Sequence, residues 1–328
     1  MVKVDLITGF LGSGKTTFLK KYVKYFLDEG KRIGIIENDF GAVNVDMMLL
    51  QDIMGDNCQI EMISGGCDKD CHARRFKTKL IAMGMLGFDR VVVEPSGIFD
   101  VDEFFDIIRE EPLDRWYETG NVITIMDSKI QDDFSKESAS LMAAQLACAG
   151  QVILSKSQYA NEDDINNTIN KLAKICSDFE CNKEFYIESQ INDIRKILDN
   201  DNACIVVTKP WDELTDEDFK KISLRGYTTC SVKKMWFEQD DVYDSIYFMN
   251  LRISLDEIKR RINMTINDES YGHVFRIKGF AKDENEGWVQ INATYEKIHI
   301  NEIANGQEII IIIGENLQKD AINNLWQN

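Results

Sequence analysis

Apolar and polar positions follow two rhythms along the first half of the chain. Short apolar runs, which are typical of buried strands, occupy residues 2–8, 32–37, 90–94, 121–127 and 151–155. Between them, apolar residues recur every three or four positions, as they do on one face of a helix. This second rhythm predicts helices over residues 15–28, about 70–85, 101–109, 136–147 and 163–177. Strands that alternate with helices build a mostly parallel sheet, so the pattern predicts a doubly wound α/β domain.

The pattern changes beyond residue 177. Residues 181–234 combine polar and acidic runs with a Lys209-Pro210-Trp211 segment, and we interpret them as sheet-edge elements and a linker. Farther on, the sequence predicts a strand over residues 245–253, a helix over 255–266, strands near 273–282, 288–293 and 308–313, and a closing helix from Leu317. These elements predict a second, smaller α+β domain, and we place the two domains at residues 1–225 and 240–328.

Composition and charge narrow the class of protein. A chain of 328 residues with 44% hydrophobic residues, 29% charged residues and 3 prolines is typical of a folded protein with two cores. The net charge of -18 repels polyanions, which argues against nucleic-acid partners and against docking on anionic membranes. The first apolar run is interrupted by Asp5, and no run reaches the length of a membrane span. We therefore expect a cytoplasmic protein.

The motif at residues 9–17 is the first candidate for chemistry. It reads Gly9-Phe10-Leu11-Gly12-Ser13-Gly14-Lys15-Thr16-Thr17 and lies between a predicted strand and a predicted helix. This order matches the phosphate-binding loop of P-loop proteins, where backbone amides and a helix N-terminus hold the phosphates. We predict that Lys15 neutralises the β- and γ-oxygens and that the Thr16 hydroxyl ligates Mg²⁺, while the nucleotide is bound by Gly12, Ser13, Gly14, Lys15, Thr16 and Thr17. The alternative is a glycine-rich turn with an incidental lysine.

A second motif lies at the end of a predicted strand, Val91-Val92-Val93-Glu94-Pro95-Ser96-Gly97. Loops at the carboxyl ends of parallel strands are where open α/β sheets bind ligands. Glu94 is our candidate for a carboxylate that orients a direct ligand of Mg²⁺ or positions water. Gly97 is our candidate backbone donor to the γ-phosphate. The alternative is a buried strand that ends in a surface turn.

With these motifs the sequence resembles the CobW-like family of P-loop metal-chaperone GTPases, relatives of the nickel-insertion GTPases of urease and hydrogenase maturation. The resemblance covers nearly the whole chain and rests on residues 9–17, 36–41 with Asp46, 94–97, 273–279 and 312–314. It implies a GTPase domain followed by a smaller domain that gates clients or dimerises. It also implies a switch segment in which Asp39 and Asp46 lie near Mg²⁺ and the attacking water.

Without the resemblance, residues 37–39 are a strand exit rich in hydrogen-bond acceptors, or simply a solvated turn. Glu37 is counted among the candidate metal ligands. The segment therefore leaves both a functional and a plain structural interpretation open.

The loop expected to hold metal departs from the family pattern. Members of the family carry Cys-x-Cys-Cys, whereas this chain reads Ser64-Gly65-Gly66-Cys67-Asp68-Lys69-Asp70-Cys71-His72. Cys67, Cys71 and His72 are nevertheless suitable ligands for Zn²⁺, Ni²⁺ or Co²⁺. The alternatives are a thiol pair with a redox or cofactor-contacting role and a plain acidic loop. Cys58 could complete the ligand set or be an inward-facing strand residue, and the cysteines Cys148, Cys204 and Cys230 are predicted to lie in the core.

The guanine-reading motif Asn/Thr-Lys-x-Asp is expected where this chain reads Ser155-Lys156-Ser157-Gln158. An aspartate accepts hydrogen bonds from two guanine nitrogens, whereas the Gln158 carboxamide can instead pair with adenine. We expect the aliphatic stem of Lys156 to lie over the base. The sequence leaves GTP or ATP open, and also a strand end that contacts no base.

Three functions follow from these motifs. The first is a Mg²⁺-dependent nucleoside triphosphatase that couples hydrolysis, of GTP ahead of ATP, to delivery of a metal ion or metallocofactor to a client metalloprotein. The second is a nucleotide-driven activator of a corrinoid or other redox cofactor protein, and the third is a nucleotide-dependent interaction switch with little turnover. A homodimer is expected by family analogy only.

Overall fold

The structure, a computed structural model, divides the chain into two compact units, Met1–Met235 and Trp236–Asn328. It describes residues 1–39, 49–64, 69–131, 134–191, 197, 200–235, 237, 242–251, 253–283, 287–295, 297–303 and 306–327. The first unit continues past residue 225, because Thr228 and Cys230 donate backbone hydrogen bonds to the carbonyls of Cys148 and Ala147. These bonds hold residues 226–230 against the first unit.

The first unit is built on a parallel sheet. Its strands are β1 (Val2–Thr8), β2 (Ile33–Asp39), β3 (Cys58–Ser64), β4 (Arg90–Glu94), β5 (Tyr117–Asp127), β6 (Gln151–Ser155), β7 (Glu184–Ile187) and β8 (Ala203–Val207). They lie in the order β3-β2-β4-β1-β5-β6-β8-β7, and each pair of neighbours is parallel. The helices are α1 (Lys15–Asp28), α2 (Lys69–Leu86), α3 (Val101–Ile108), α4 (Leu113–Trp116), α5 (Lys136–Cys148), α6 (Glu162–Asp178) and α7 (Asp216–Ile222).

The central strands are apolar on both faces because helices cover both faces of the sheet. Leu6 of β1 packs in a core with Phe76 of α2 and Phe104 of α3. Its neighbour Ile7 points to the other face and packs in a second core with Phe18 of α1. The predicted doubly wound fold is confirmed, and its parallel strands bring their carboxyl ends to one edge of the sheet.

One buried carboxylate ties several elements of this unit together. Asp5 of β1 is fully buried and accepts hydrogen bonds from the Tyr22 hydroxyl (2.7 Å) and the Asn121 backbone amide (2.8 Å). It also forms an ion pair with the Arg90 guanidinium. Asn121 in turn accepts a hydrogen bond from the backbone N–H of Gly226. Four secondary-structure elements and one loop therefore depend on a single anionic side chain.

The second unit contains an antiparallel sheet covered by helices. Its strands are β9 (Tyr243–Met249), β10 (His273–Lys282), β11 (Trp288–Ala293), β12 (Ile298–Ile303) and β13 (Ile309–Glu315), in the order β12-β11-β10-β13-β9. The helices are α8 (Leu255–Asn267) and α9 (Lys319–Gln327). Trp326 of α9 is fully buried against this sheet, and its indole N–H donates to the Thr265 hydroxyl of α8 at 3.0 Å. The predicted smaller α+β unit is confirmed.

Across the described residues, no helix is both long enough and apolar enough to cross a membrane.

Candidate functional site

The loop between β1 and α1 has a backbone conformation that requires glycine at several positions. Gly9, Gly12 and Gly14 have φ values of 140°, 75° and 96°, a region that other residues rarely adopt. A Cβ atom at Gly9 would lie 2.1 Å from the Ile125 carbonyl oxygen, so that residue also needs the absence of a side chain. Helix α1 begins directly at Lys15, and the N-terminus of a helix is a place where backbone amides can bind an anion. The predicted residues Gly12 to Thr17 thus lie in one loop and the first turn of a helix.

Lys15 lies over this loop. Its ammonium donates to the carbonyl oxygens of Gly9 (3.0 Å) and Phe10 (3.4 Å), and the residue is buried. The Ser13 hydroxyl is buried as well, and among the described residues it has no hydrogen-bond partner. Buried polar groups normally have partners. A positive charge and an unsatisfied hydroxyl in one loop favour binding of an anionic oxygen-rich ligand.

Two carboxylates lie beside the loop. The Thr16 hydroxyl donates to Glu94 at 2.7 Å, and both residues are buried. Glu37, only 2% exposed, lies opposite Glu94 in the register of β2 and β4. Carboxylate and hydroxyl oxygens are the ligands that hard cations prefer. This arrangement therefore favours a divalent cation at the carboxyl edge of the sheet.

The turn after β4 contacts the phosphate-binding loop directly. A Cβ atom at Gly97 would lie 2.5 Å from the Leu11 backbone nitrogen and 2.9 Å from the Leu11 Cα. The turn is held from its other side by Gln145 of α5, whose fully buried amide donates to the Gly97 carbonyl at 3.0 Å. Gln145 was not among the predicted site residues, although a glutamine within the apolar run of α5 was a usable signal.

The predicted switch and metal residues are only partly described. Asp39 is the last residue of β2, while its side chain, Asp46 and Cys67 lie outside what the structure describes. Cys71 and His72 lie in the first turns of α2, which begins at Lys69. Within the described ranges, no group of three His, Cys, Asp or Glu side chains could hold a metal ion.

His72 has a well-defined environment. It is buried, and its Nδ1 lies 2.8 Å from the Glu103 carboxylate of α3. Metal-ligating histidines commonly have one ring nitrogen oriented by a carboxylate in this way. Glu103 was not among the predicted site residues, because the contact joins two helices that are distant along the chain.

Cys58 does not belong to the metal loop. It is the first residue of β3, at the amino edge of the sheet, and burial raises the pKa of its thiol to about 11. A thiol that resists ionisation is a poor metal ligand. The inward-facing interpretation of Cys58 is therefore correct. Of the predicted core cysteines, Cys148 and Cys204 are buried, but Cys230 is only partly buried, which corrects its assignment to the core.

The base-reading segment follows β6. Lys156 has a left-handed backbone (φ 56°), and its ammonium pairs with the Asp127 carboxylate at 2.5 Å. Gln158 is exposed in the short turn that follows. Asp127 ends β5, the strand beside β6, and its pairing with Lys156 was not predicted from the sequence. Lys156 is thereby held at the carboxyl edge, and Gln158 is accessible to a base.

Trp211, which the sequence analysis assigned to a linker or sheet edge, lies near the phosphate-binding loop. Its indole N–H donates to the Leu154 carbonyl at 3.0 Å, and its ring centroid lies 5.5 Å from that of Phe18. A Cβ atom at Gly14 would lie 3.1 Å from the same ring. Its position shortly after the carboxyl end of β8 was the signal that could have identified it.

Most of the first unit matches a known protein domain. The match is to the domain described as CobW/HypB/UreG, nucleotide-binding domain, over residues 3–185. Among curated relatives, the zinc chaperone YjiA of Escherichia coli (strain K12) is 32% identical over 174 residues, 49% of this chain and 51% of the relative. The zinc-regulated GTPase metalloprotein activator 1 of Schizosaccharomyces pombe (strain 972) is 25% identical over 208 residues, 61% of this chain and 49% of the relative. The chain spans about half the length of these curated relatives.

Solved structures of related proteins are similar over longer stretches. The Zn(II)-bound YjiA GTPase from E. coli is 21% identical, with 99% of this chain and 98% of that one covered and a TM-score of 0.37. HypB from Helicobacter pylori in complex with nickel is 14% identical, with 68% of this chain and 84% of that one covered and a TM-score of 0.38.

Proposed function

The chain belongs to the CobW/HypB/UreG family, and on that premise we propose that it hydrolyses a nucleoside triphosphate to deliver a metal ion to a client protein. We propose GTP ahead of ATP as the nucleotide, with Mg²⁺ as its cation. The names of the two curated relatives, a zinc chaperone and a zinc-regulated metalloprotein activator, support zinc as the first metal to test.

The observation that carries this proposal is the junction between the phosphate-binding loop and the turn after β4. The Thr16 hydroxyl donates to Glu94, and Gly97 packs on the Leu11 backbone. A change at the end of the triphosphate would therefore act on both ends of the 94–97 turn. Lys15 would neutralise phosphate oxygens, and the Gly97 amide would donate to the terminal phosphate.

The donor set at this junction suits Mg²⁺. The Thr16 hydroxyl would be a direct ligand, and the buried Glu94 carboxylate, which accepts the Thr16 proton, would orient that ligand. When bound, the ion would supply positive charge at the β- and γ-phosphate oxygens. Asp39 and Asp46 remain proposed neighbours of the ion and of the attacking water.

We propose that the cargo metal binds between the end of β2 and the start of α2. Glu37 is the buried carboxylate near the end of β2, while Cys67, Cys71 and His72 come from around the start of α2. The contact of His72 with Glu103 supports a ligand role, because it fixes the orientation of the ring. Since Glu37 and Glu94 are neighbours in the sheet, the cargo site would adjoin the phosphate site.

Coupling between the two sites must be reciprocal. If metal binding changes the affinity for nucleotide, nucleotide must change the affinity for metal by the same factor. We expect one equivalent of Zn²⁺ to change the dissociation constant of GTP or ATP by about fivefold or more, as for a coupling free energy of about 1 kcal/mol or above. At nucleotide concentrations below saturation, this change alters the rate of phosphate release. The measurement is Mg²⁺-dependent phosphate release for both nucleotides, with and without Zn²⁺, Ni²⁺ or Co²⁺.

The matched variant is Cys67→Ala/Cys71→Ala, which should hydrolyse nucleotide at the basal rate and lose the response to metal. A wild-type turnover that ignores all three metals would overturn the delivery proposal. A response that survives in the double variant would move the cargo site away from this loop.

Gln158 gives a separate prediction about the base. We expect Gln158→Asp to shift the ratio of kcat/KM for GTP over ATP toward GTP by about tenfold, because a charged acceptor strengthens hydrogen bonds by about 1.5 kcal/mol. The exposed position of Gln158 leaves room for the substitution. Competition assays with both nucleotides measure the ratio, and the neighbouring exposed Tyr159→Phe is the control. An unchanged ratio would mean that this turn does not read the base.

A further inference from the structure

The last residues of the first unit form a segment that is fixed to α5. Residues 226–235, which we call the strap, end where the second unit begins. The backbone N–H groups of Thr228 and Cys230 donate to carbonyls at the end of α5, at 3.1 and 3.2 Å. The backbone N–H of Met235 donates to the Ser140 hydroxyl near the start of the same helix, at 3.2 Å. Helix α5 therefore holds the strap near both of its ends.

Helix α5 also holds the turn after β4. Its buried Gln145 amide donates to the Gly97 carbonyl at 3.0 Å, and Gly97 packs on the backbone of the phosphate-binding loop. This turn continues directly into α3, since the Phe99 N–H donates to the Ser96 carbonyl at 3.1 Å and Asp100 caps the helix. The start of α3 therefore cannot move without moving the backbone donor proposed for the terminal phosphate.

One side chain of the strap reaches the start of α3. The Lys234 ammonium lies 2.5 Å from a carboxylate oxygen of Asp100 and 2.5 Å from one of Asp102. The same Asp100 oxygen accepts the capping hydrogen bond from the Asp102 backbone N–H. Burial lowers the pKa of the Lys234 ammonium, but its hydrogen bonds with the two carboxylates outweigh burial and raise that pKa on balance. Lys234 is therefore charged at neutral pH and joins the strap to the helix cap.

Other side chains of the strap divide between α3 and α6. The ring centroid of Tyr227 lies 5.5 Å from that of Phe105 in α3, which gives the strap a second contact with this helix. Lys233 instead pairs with Glu180, just beyond α6, at 2.6 Å, and both of these side chains are 68% exposed. Lys233 thus carries the same charge as Lys234 one residue earlier, but it pairs away from α3.

We propose that Lys234 is a positioning residue for nucleotide hydrolysis. Through Asp100 and Asp102 it holds the start of α3, and with it the 94–97 turn, in the place that puts the Gly97 amide against the terminal phosphate. Because the chain continues from the strap into the second unit, undocking of the strap would slow hydrolysis from a point outside the nucleotide site. The proposal rests on the nucleotide site described above and is independent of the cargo metal.

Kinetics of Lys234→Met measure this role, because the substitution keeps the length of the side chain and removes its charge. We expect kcat to fall about tenfold, a part of the roughly 10²-fold that a displacement of about 1 Å can cost. KM should stay within about twofold, as for an interaction that matters in the transition state. Lys234→Arg, which keeps the charge, should restore most of kcat. A folded Lys234→Met protein with the kcat of the wild type would overturn the proposal.

Lys233→Met is the matched control. It removes the same charge from the neighbouring position, where the ion pair is exposed and contributes little to stability. Its kcat and KM should equal those of the wild type. Circular dichroism of both methionine variants checks that each is folded. Equal losses of kcat in the two variants would mean that the charge of the strap matters and not the contact with α3, and this result would also overturn the proposal.

A double-mutant cycle tests whether Lys234 acts through its two carboxylates. Asp100→Asn/Asp102→Asn should lower kcat as Lys234→Met does, and an asparagine at position 100 still caps α3. The triple variant should be no slower than either, because all three substitutions break one contact. Losses that simply multiply would show that Lys234 acts elsewhere and would contradict the proposal.

Hydrogen exchange follows the strap in the wild-type chain without any turnover. With the β,γ-imido analogue of GTP or ATP bound, the strap amides should exchange at least about fivefold more slowly than with the diphosphate, and Lys234→Met should abolish this difference. If both nucleotides bind and the strap of the wild type exchanges equally with each, the strap proposal alone fails. If neither nucleotide binds, the proposed nucleotide function fails as well.

Discussion

Gly97→Ala is expected to lower kcat/KM for nucleotide hydrolysis by about 10²-fold or more, because displacement of a transition-state donor by about 1 Å costs this much. The new methyl group would lie 2.5 Å from the Leu11 nitrogen and 2.9 Å from the Phe10 carbonyl carbon. Both are backbone atoms, so no side-chain rotation can relieve the clash. Either the phosphate-binding loop or the 94–97 turn must move. Steady-state kinetics on GTP and ATP measure the effect.

Gly55→Ala is the matched control for this substitution. Gly55 also lies in a connecting segment, but a Cβ atom there would meet no atom within 4 Å. Its kinetics should equal those of the wild type. Because Gly97 is buried, Gly97→Ala should also lower the temperature of thermal unfolding by a few degrees, and the kinetics are compared on the folded protein. A folded Gly97→Ala protein with wild-type kcat/KM would show that the close approach to Leu11 is not needed for hydrolysis.

Asp5→Ala is expected to lower the free energy of unfolding of the first unit by about 3–5 kcal/mol, the usual effect of removing one partner of a buried ion pair. The substitution leaves the Arg90 guanidinium without its buried carboxylate partner. It also removes the acceptor of the Tyr22 hydroxyl and of the Asn121 amide. Urea unfolding followed by circular dichroism measures the loss.

Asp52→Ala is the control for the stability measurement. Asp52 also forms an ion pair, with Lys20 at 2.7 Å, but its side chain is 64% exposed. Exposed pairs contribute about 0–1 kcal/mol, so the urea midpoint should hardly move. Equal midpoint shifts for the two aspartate variants would mean that the buried network around Asp5 does not stabilise the unit.

The strands that are buried on both faces of the sheet were predicted from the sequence. Strands such as β1, β4 and β6 have helices on both faces, so each appears in the sequence as one apolar run. Strand β3 was missed because it lies at an edge of the sheet, where apolar positions alternate with Gln59 and Glu61 over a short span. Strand β12 is also an edge strand and was missed for the same reason.

Helix α7 was missed for a different reason. It is only seven residues long, too short for a clear period of 3.6. Its start was nonetheless present in the sequence, since Thr215 and Asp218 form a capping box in the structure. In this region, capping residues were a better guide than apolar periodicity.

Within the candidate site, the sequence identified residues that belong to recurring motifs. Lys15, Thr16 and Glu94 fall in this group, and the structure brings them together. It did not identify Gln145, which joins α5 to the turn after β4, or Glu103, which joins α3 to α2. Such contacts are created by packing between elements distant in the chain, and no local spacing along the sequence encodes them.

The order of the strands has a consequence for how such a protein can diverge. Glu37 on β2 and Lys156 after β6 lie on opposite sides of β1, four strand spacings apart. That is roughly 19 Å at about 4.8 Å per spacing. If the phosphates lie over β1, as we propose, the site that reads the nucleotide base and the site that binds the cargo metal share no residues. Substitutions at position 158 can then change which nucleotide is hydrolysed without changing which metal is bound.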